Sequence, residues 1–328
     1  MYVNQIFELS MTLNNEDFGN VFEEVYVEDY WGEESEEYVD QTFSEEGLLV
    51  VYYNKQYKKK VKLIVDPAIM TKGAFGNTDK FCCKLDKQIK EYFDNQYRMD
   101  DFTLSGMRLS LDINVESREN VKNYLKVLRR IGKVKGFSPS EYENLDEKQS
   151  FCLDGNSNAI DFLIYDLEQV VAEQMELSEI NRKERNEMIE KTNGILRAEV
   201  HLKKPKAIRA YTNELVIADQ MAELSKRSSA IFFDTFARVI PYGDFYKKDA
   251  ATEILRKEVL DSTTRRKMLR LLVLIPEKKS LHLAQKELRS KDIEIVTKRF
   301  AEINLSPVTI SKRHDKKYLK NLYDFIQF

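Results

Sequence analysis

The sequence predicts an α+β protein: an antiparallel sheet with flanking helices, followed by a C-terminal helical domain. Three observations carry this. Apolar and polar residues alternate with a period of two around Phe7–Leu13, Met107–Asn114 and Leu196–Lys203. Two turn-forming stretches, Asn54-Lys55-Gln56 and Asp154-Gly155-Asn156-Ser157-Asn158, separate short apolar runs as hairpin loops do. After Pro205 the pattern becomes almost wholly helical. A hydrophobic share of 42% supports a buried core and excludes wholesale disorder.

The elements follow in order. Phe7, Leu9, Met11 and Leu13 alternate with Glu8, Ser10 and Thr12 as a strand. An acidic stretch from Glu23 to Glu46 follows, with enough aromatics to argue against simple disorder. Leu48–Tyr53 and Val61–Val65 form a hairpin that Asp66-Pro67 closes. Phe81, Leu85, Ile89 and Tyr92 make one helical stripe. A long strand covers about 102–115, and a helix begins after Ser117 as N-cap. A second hairpin runs from Ser150 to Tyr165, helical residues continue to about Lys191, and Gly194 ends that element before the strand at Leu196. The tail divides into helices at 213–226, 228–240, 249–260, 263–275, 280–289, 292–303 and one from Pro307, with Pro241 and Pro276 as punctuation. This gives an acidic, β-rich segment at 1–47, an α+β domain at 48–227 and a basic helical domain at 228–328.

Charge is unevenly placed. Residues 1–50 hold 14 Asp+Glu and no Lys or Arg, whereas 201–328 hold 27 Lys+Arg against 16 Asp+Glu. A basic tail suits a polyanion such as nucleic acid, and equally a set of solvated helix faces. No apolar run approaches the roughly 20 residues needed to span a bilayer. No membrane partner is expected, and Met1–Asn4 has no basic region of the kind that opens a secretory signal. Three cysteines without metal spacing suit a reducing compartment, so a cytoplasmic location is expected. There is no GxxxxGK phosphate loop, no Gly-x-Ser-x-Gly elbow and no Cys-x-x-Cys, and with three histidines a histidine-rich metal site is excluded.

Strand parity assigns Asp112, Glu199 and His201 to faces opposite the Leu/Val/Ile residues, while Tyr165 ends a strand whose Ile160, Phe162 and Ile164 take the other face. Two carboxylates, an imidazole and a phenol suit a divalent-metal phosphodiester site, with Mg²⁺ or Mn²⁺ as the matching ion. The plain alternative is a wet sheet face without a role.

Three segments, Asp101-Phe102-Thr103-Leu104-Ser105-Gly106-Met107-Arg108-Leu109-Ser110-Leu111-Asp112-Ile113, Phe162-Leu163-Ile164-Tyr165-Asp166-Leu167-Glu168 and Ile195-Leu196-Arg197-Ala198-Glu199-Val200-His201-Leu202, occur in the order of three family motifs. Together they resemble the rolling-circle replication initiators of phages and plasmids, nearest the replication-relaxase branch. The resemblance covers about 48–205 and, more loosely, the helical tail. It implies a relaxase/replication-initiator-like sheet, Tyr165 as the nucleophile that attacks DNA, and Asp112 and Glu199 as metal ligands. His201 is the candidate third ligand. Two departures stand out: Gly106-Met107-Arg108 occupies the place of the family's first Arg-x-Asp, and Leu167 replaces a basic residue after Tyr-Asp. Tyr211, beyond the Glu199 strand, is the reserve nucleophile.

Candidate DNA contacts are Arg197 and Lys203 on the Glu199 strand and Arg265, Arg266, Lys267 and Arg270 on one tail helix. Lys312, Arg313, Lys316 and Lys317 join them if the segment from Pro307 is the second helix of a helix-turn-helix. The expectation is an origin-binding, strand-nicking initiator working with host replication proteins, possible also as a homodimer. The alternatives are a non-catalytic DNA-binding accessory on the same scaffold and a protein–protein adaptor using the acidic N-terminal segment.

Overall fold

The computed structural model describes residues 3–23, 37–55, 58–73, 78–142, 145–155, 157, 159–176, 181–288 and 293–326. Most of the acidic stretch, 24–36, lies outside the described residues. The fold is mixed α and β. Nine strands, β1 (Asn4–Leu13), β2 (Glu37–Asp40), β3 (Leu48–Lys55), β4 (Lys58–Val65), β5 (Thr103–Asn114), β6 (Phe137–Pro139), β7 (Ser150–Gly155), β8 (Ile160–Asp166) and β9 (Ile195–Leu202), pair in the order β2-β3-β4-β1-β5-β9-β8-β7-β6. The pairs β1–β4, β2–β3, β3–β4, β6–β7 and β7–β8 are antiparallel.

The chain divides into two compact units, Tyr2–Leu109 with His201–Ile231, and Ser110–Val200 with Phe232–Phe328. The boundaries expected at 47 and 228 do not coincide with this division. The first 47 residues supply β1 and β2, which pair with β4 and β3 and so belong to a sheet rather than to a segment of their own. The expected break at 228 falls inside a single helix, Ile217–Val239. Its middle holds no Gly or Pro, and the Ser228 hydroxyl donates to the Ser225 carbonyl (2.8 Å) instead of capping a new helix.

In the first unit, Phe7 and Leu9 of β1 and Val61, Leu63 and Val65 of β4 are fully buried, as their alternation requires. Helix Thr78–Tyr92 lays Phe81, Leu85 and Ile89 into this core, with the Phe81 ring 6.3 Å from Phe7. Asp66 caps helix Pro67–Thr71 by accepting from the Ala68 and Ile69 N–H groups (2.8 and 3.1 Å).

On the other face of β1, Glu8 takes Lys62 Nζ at 2.6 Å and Arg108 Nε at 2.6 Å. Burial works against its ionisation, but the two cations outweigh burial and lower its pKa. Its contribution to stability is therefore present above the ordinary carboxylate range and is lost as pH falls through the lowered value. Gly106 sits against this carboxylate: a Cβ there would stand 2.8 Å from Glu8 Oε2 and 2.8 Å from the Leu202 carbonyl oxygen. Gly106→Ala should therefore destabilise the chain by about 1–3 kcal/mol, seen as a lower urea midpoint at unchanged slope. An unchanged midpoint would show that both the Glu8 carboxylate and the Leu202 backbone give way freely.

In the second unit, helix Arg118–Leu128 starts at Ser117, whose hydroxyl accepts from the Asn120 N–H, and it buries Val121, Tyr124, Leu125 and Leu128. Phe162 of β8 packs edge-on against Phe236 at 6.0 Å. Helices Lys248–Glu258, Ser262–Lys278, Leu281–Glu287 and Ile293–Glu302 follow. Pro276 lies inside its helix rather than ending it, and the helix stops three residues on, at Lys279 in the left-handed region.

The helix expected from Pro307 does not form, so the predicted helix-turn-helix is corrected. Val308, Thr309 and Ile310 are a β-branched run buried in irregular chain. Its backbone bonds elsewhere: Ser306 N–H to the Asp244 carbonyl (2.8 Å) and Ile310 N–H to the Tyr246 carbonyl (2.9 Å). Two-residue strands, Phe245–Tyr246 and Tyr318–Leu319, then pair.

Candidate functional site

The site residues stand on neighbouring strands of the second unit. On β9, Leu196, Ala198 and Val200 are fully buried, so Arg197 and Glu199 occupy the opposite face. On β5, Leu111 and Ile113 are buried and Asp112 alternates out. Tyr165 of β8 is opposite Ser150 in the β7 register, and Leu163 is opposite Cys152. These cross-strand pairs put the Tyr165 ring in an apolar cluster with Cys152, Leu163 and Leu167, against which Tyr142, Leu145 and Ile195 pack.

The structure brings Asp112, Tyr165, Arg197 and Glu199 together. The Tyr165 hydroxyl donates to Glu199 Oε1 at 2.7 Å. Arg197 grips Asp112 with two parallel bonds, Nε to Oδ1 at 2.7 Å and Nη2 to Oδ2 at 2.8 Å. Tyr165 is 8% exposed. Burial raises its pKa far above the ordinary phenol value, and the Glu199 carboxylate adds to this, while the Arg197 charge opposes it. The hydrogen bonds to Asp112 raise the Arg197 pKa further, against its burial. At neutral pH the array holds a protonated phenol on a carboxylate acceptor, beside a guanidinium fixed by a second carboxylate.

That geometry places a phenol oxygen on a carboxylate and beside a guanidinium. Cys152, by contrast, is a packing group: burial pushes its thiol up to about 11. Leu167 is buried in the Tyr165 cluster, which accounts for an apolar side chain at this position. Asp166 accepts from the Glu168 N–H (3.2 Å) at the start of helix Leu167–Glu176, and Glu168 meets Arg118 Nη1 at 3.4 Å.

The expected Mg²⁺ or Mn²⁺ set of Asp112, Glu199 and His201 does not fit what is seen. Arg197 occupies both Asp112 oxygens and brings a positive charge to the place a cation would take. Among the described residues no three His, Cys, Asp or Glu are grouped to hold a metal. Parity put these residues on one strand face, but it carried no signal of the Asp112–Arg197 pairing. The sequence marks Arg197 as a DNA contact, whereas the structure pairs it with Asp112.

The other candidates are dispersed. Tyr211 lies in the first unit beneath Arg227, whose guanidinium is 5.9 Å from its ring. Lys203 is exposed on the same unit. On helix Ser262–Lys278, Arg266 and Arg270 are exposed, Lys267 is half-buried, and Arg265 Nη1 bonds the Val259 carbonyl (3.1 Å). Lys312, Arg313 and Lys317 are exposed on irregular chain, and Lys316 pairs with Glu119 at 3.3 Å.

Asp112→Asn tests the clamp. It should cost about 1 kcal/mol or less, because the side chains of Arg197 and Asp112 are 29% and 34% exposed and water screens the pair. A loss of several kcal/mol in chemical denaturation would instead mark the pair as a buried keystone. No family model matches this chain, and no curated protein matches it.

Proposed function

We propose that the protein is a phage- or plasmid-type replication initiator that binds origin DNA and nicks one strand through Tyr165. The observation that carries this is the Tyr165 hydroxyl hydrogen-bonded to Glu199 beside Arg197. In the reaction, Glu199 takes the phenol proton as the Tyr165 oxygen attacks phosphorus. The P–O3′ bond breaks, and Glu199 returns the proton to the leaving 3′ oxygen. The products are a free 3′ hydroxyl and a 5′ phosphotyrosine, which keeps the bond energy for rejoining. Arg197 meets the developing charge on the phosphate oxygens, and Asp112 positions Arg197. Exposed basic residues such as Arg266, Arg270, Lys312 and Arg313 hold the strand through its phosphates.

Origin recognition and work with host replication proteins in the cytoplasm belong to the same proposal, on the strength of the resemblance. Among the described residues no helix is long and apolar enough to cross a membrane.

A second reading, a non-catalytic DNA-binding accessory on the same scaffold, is favoured by the near-complete burial of Tyr165. One assay separates them. The whole chain is incubated with single-stranded origin oligonucleotide, with chelator and with added Mg²⁺ or Mn²⁺, and resolved on a denaturing gel. A covalent protein–DNA band supports nicking. Salt-sensitive binding without that band supports the accessory. No binding at all refutes both.

A further inference from the structure

We propose that a cavity of about 270 Å³ beside helix Arg118–Leu128, closed by the chain at 311–315, is a binding site for a phosphate group. It lies wholly within the second unit and does not depend on nicking by Tyr165.

Its lining is cationic. Lys126, Arg130 and Arg313 line it with a single carboxylate, Asp315, and Asn123, Val127, Ser311 and His314 make up the rest of the wall. Two donors there are unmet. Arg130 Nε and His314 Nε2 are both buried, and neither has a hydrogen-bond partner among the described residues. The His314 tautomer follows from its other nitrogen: Nδ1 accepts from the Lys316 N–H at 3.1 Å, so a neutral ring carries its proton on Nε2. The turn that presents this ring is fixed by the His314 N–H on the Ser311 carbonyl (3.1 Å).

Buried donors without acceptors are costly, and a ligand that supplies acceptors removes that cost. The charges choose the ligand. A cation would be repelled by Lys126, Arg130 and Arg313, and an apolar group would leave both N–H groups unmet. The surroundings agree with an anion. Burial, with no carboxylate to offset it, lowers the Arg130 pKa. Burial, then Lys126, Lys247 and Lys316, lower that of His314, and only Asp315 acts the other way. Phosphate offers several acceptor oxygens and negative charge, and it pairs with guanidinium through two parallel bonds. The volume leaves room for an attached sugar. The phosphate comes from a free anion or nucleotide, or from a nucleic-acid backbone.

The experiment follows the His314 side-chain ¹⁵N–¹H signals of the full chain, assigned by their loss in His314→Gln. Inorganic phosphate is titrated at constant ionic strength, with chloride as control. The His314 signals should shift and saturate with phosphate and stay still with chloride. Lys126→Gln and Arg313→Gln alter exposed side chains and leave the fold intact. Each should weaken the apparent affinity about tenfold, and Arg130→Gln at least as much. Two further arms identify the source. A mononucleotide that acts where an oligonucleotide without terminal phosphates does not points to free phosphate, and the reverse points to the backbone. No saturable shift with any of the three phosphates, or a shift that all three variants leave unchanged, overturns the proposal.

Discussion

Tyr165→Phe should reduce strand cleavage and adduct formation by a factor on the order of 10³ or more while leaving DNA binding nearly unchanged. The phenylalanine ring keeps its place among Cys152, Leu163 and Leu167, so the sheet is not disturbed. What is lost is the oxygen that Glu199 holds at 2.7 Å. The stability cost is one hydrogen bond, about 1 kcal/mol. On the proposed function, affinity for DNA comes from phosphate contacts by exposed Lys and Arg, which this change leaves alone. Cleavage that persists in Tyr165→Phe would move the nucleophile elsewhere, with Tyr211 the next residue to test.

Glu199→Gln should lower cleavage by about 10²–10⁴, the range of a lost general base. It also has a signature independent of activity. Burial and the Glu199 charge together raise the Tyr165 pKa, and only the charge is removed. The Tyr165 pKa should therefore fall toward the ordinary phenol value while burial keeps it above. The sign for stability follows. A phenol that stays protonated in the fold contributes stability below its unfolded pKa, and that stability fades as pH rises beyond it. Glu199→Gln should soften this alkaline loss. Tyrosine ¹³Cζ NMR, with Tyr165 assigned by Tyr165→Phe, reads the shift directly. An unmoved Tyr165 pKa together with unaltered cleavage would show that Glu199 neither perturbs the phenol nor acts as its base.

Much of the sheet was legible because period-two burial is a local property. β1, β5 and β9 lie where Phe7–Leu13, Met107–Asn114 and Leu196–Lys203 alternate. The hairpin β7–β8 follows its turn residues. The same parity put Asp112, Arg197 and Glu199 on solvent-side faces, yet it names faces and not partners. Asp112–Arg197 and Glu8–Arg108 are set by which strands become neighbours, which no local period encodes. Two residues have local causes: Gly106 makes room for the Glu8 carboxylate and the Leu202 carbonyl, and Leu167 fills the Tyr165 cluster.

The tail was less legible for a related reason. Ser306-Pro307 is a helix-start signal, but Val308, Thr309 and Ile310 are buried in irregular chain, with backbone partners for the segment at Asp244 and Tyr246. The cationic cavity was hidden too, since Lys126 and Arg130 come from one part of the chain and Arg313 and His314 from another.

The central claim is that the phenol on Glu199 is the attacking group, and the most direct test is to locate the DNA-linked residue. The protein is reacted with single-stranded origin oligonucleotide, the adduct is digested with nuclease and protease, and the modified peptide is sequenced by mass spectrometry. The account predicts a nucleotide joined through a 5′ phosphate to Tyr165. A phosphotyrosine at Tyr211 or at any other tyrosine would contradict it, as would an oligonucleotide that is cut without ever becoming linked to the protein.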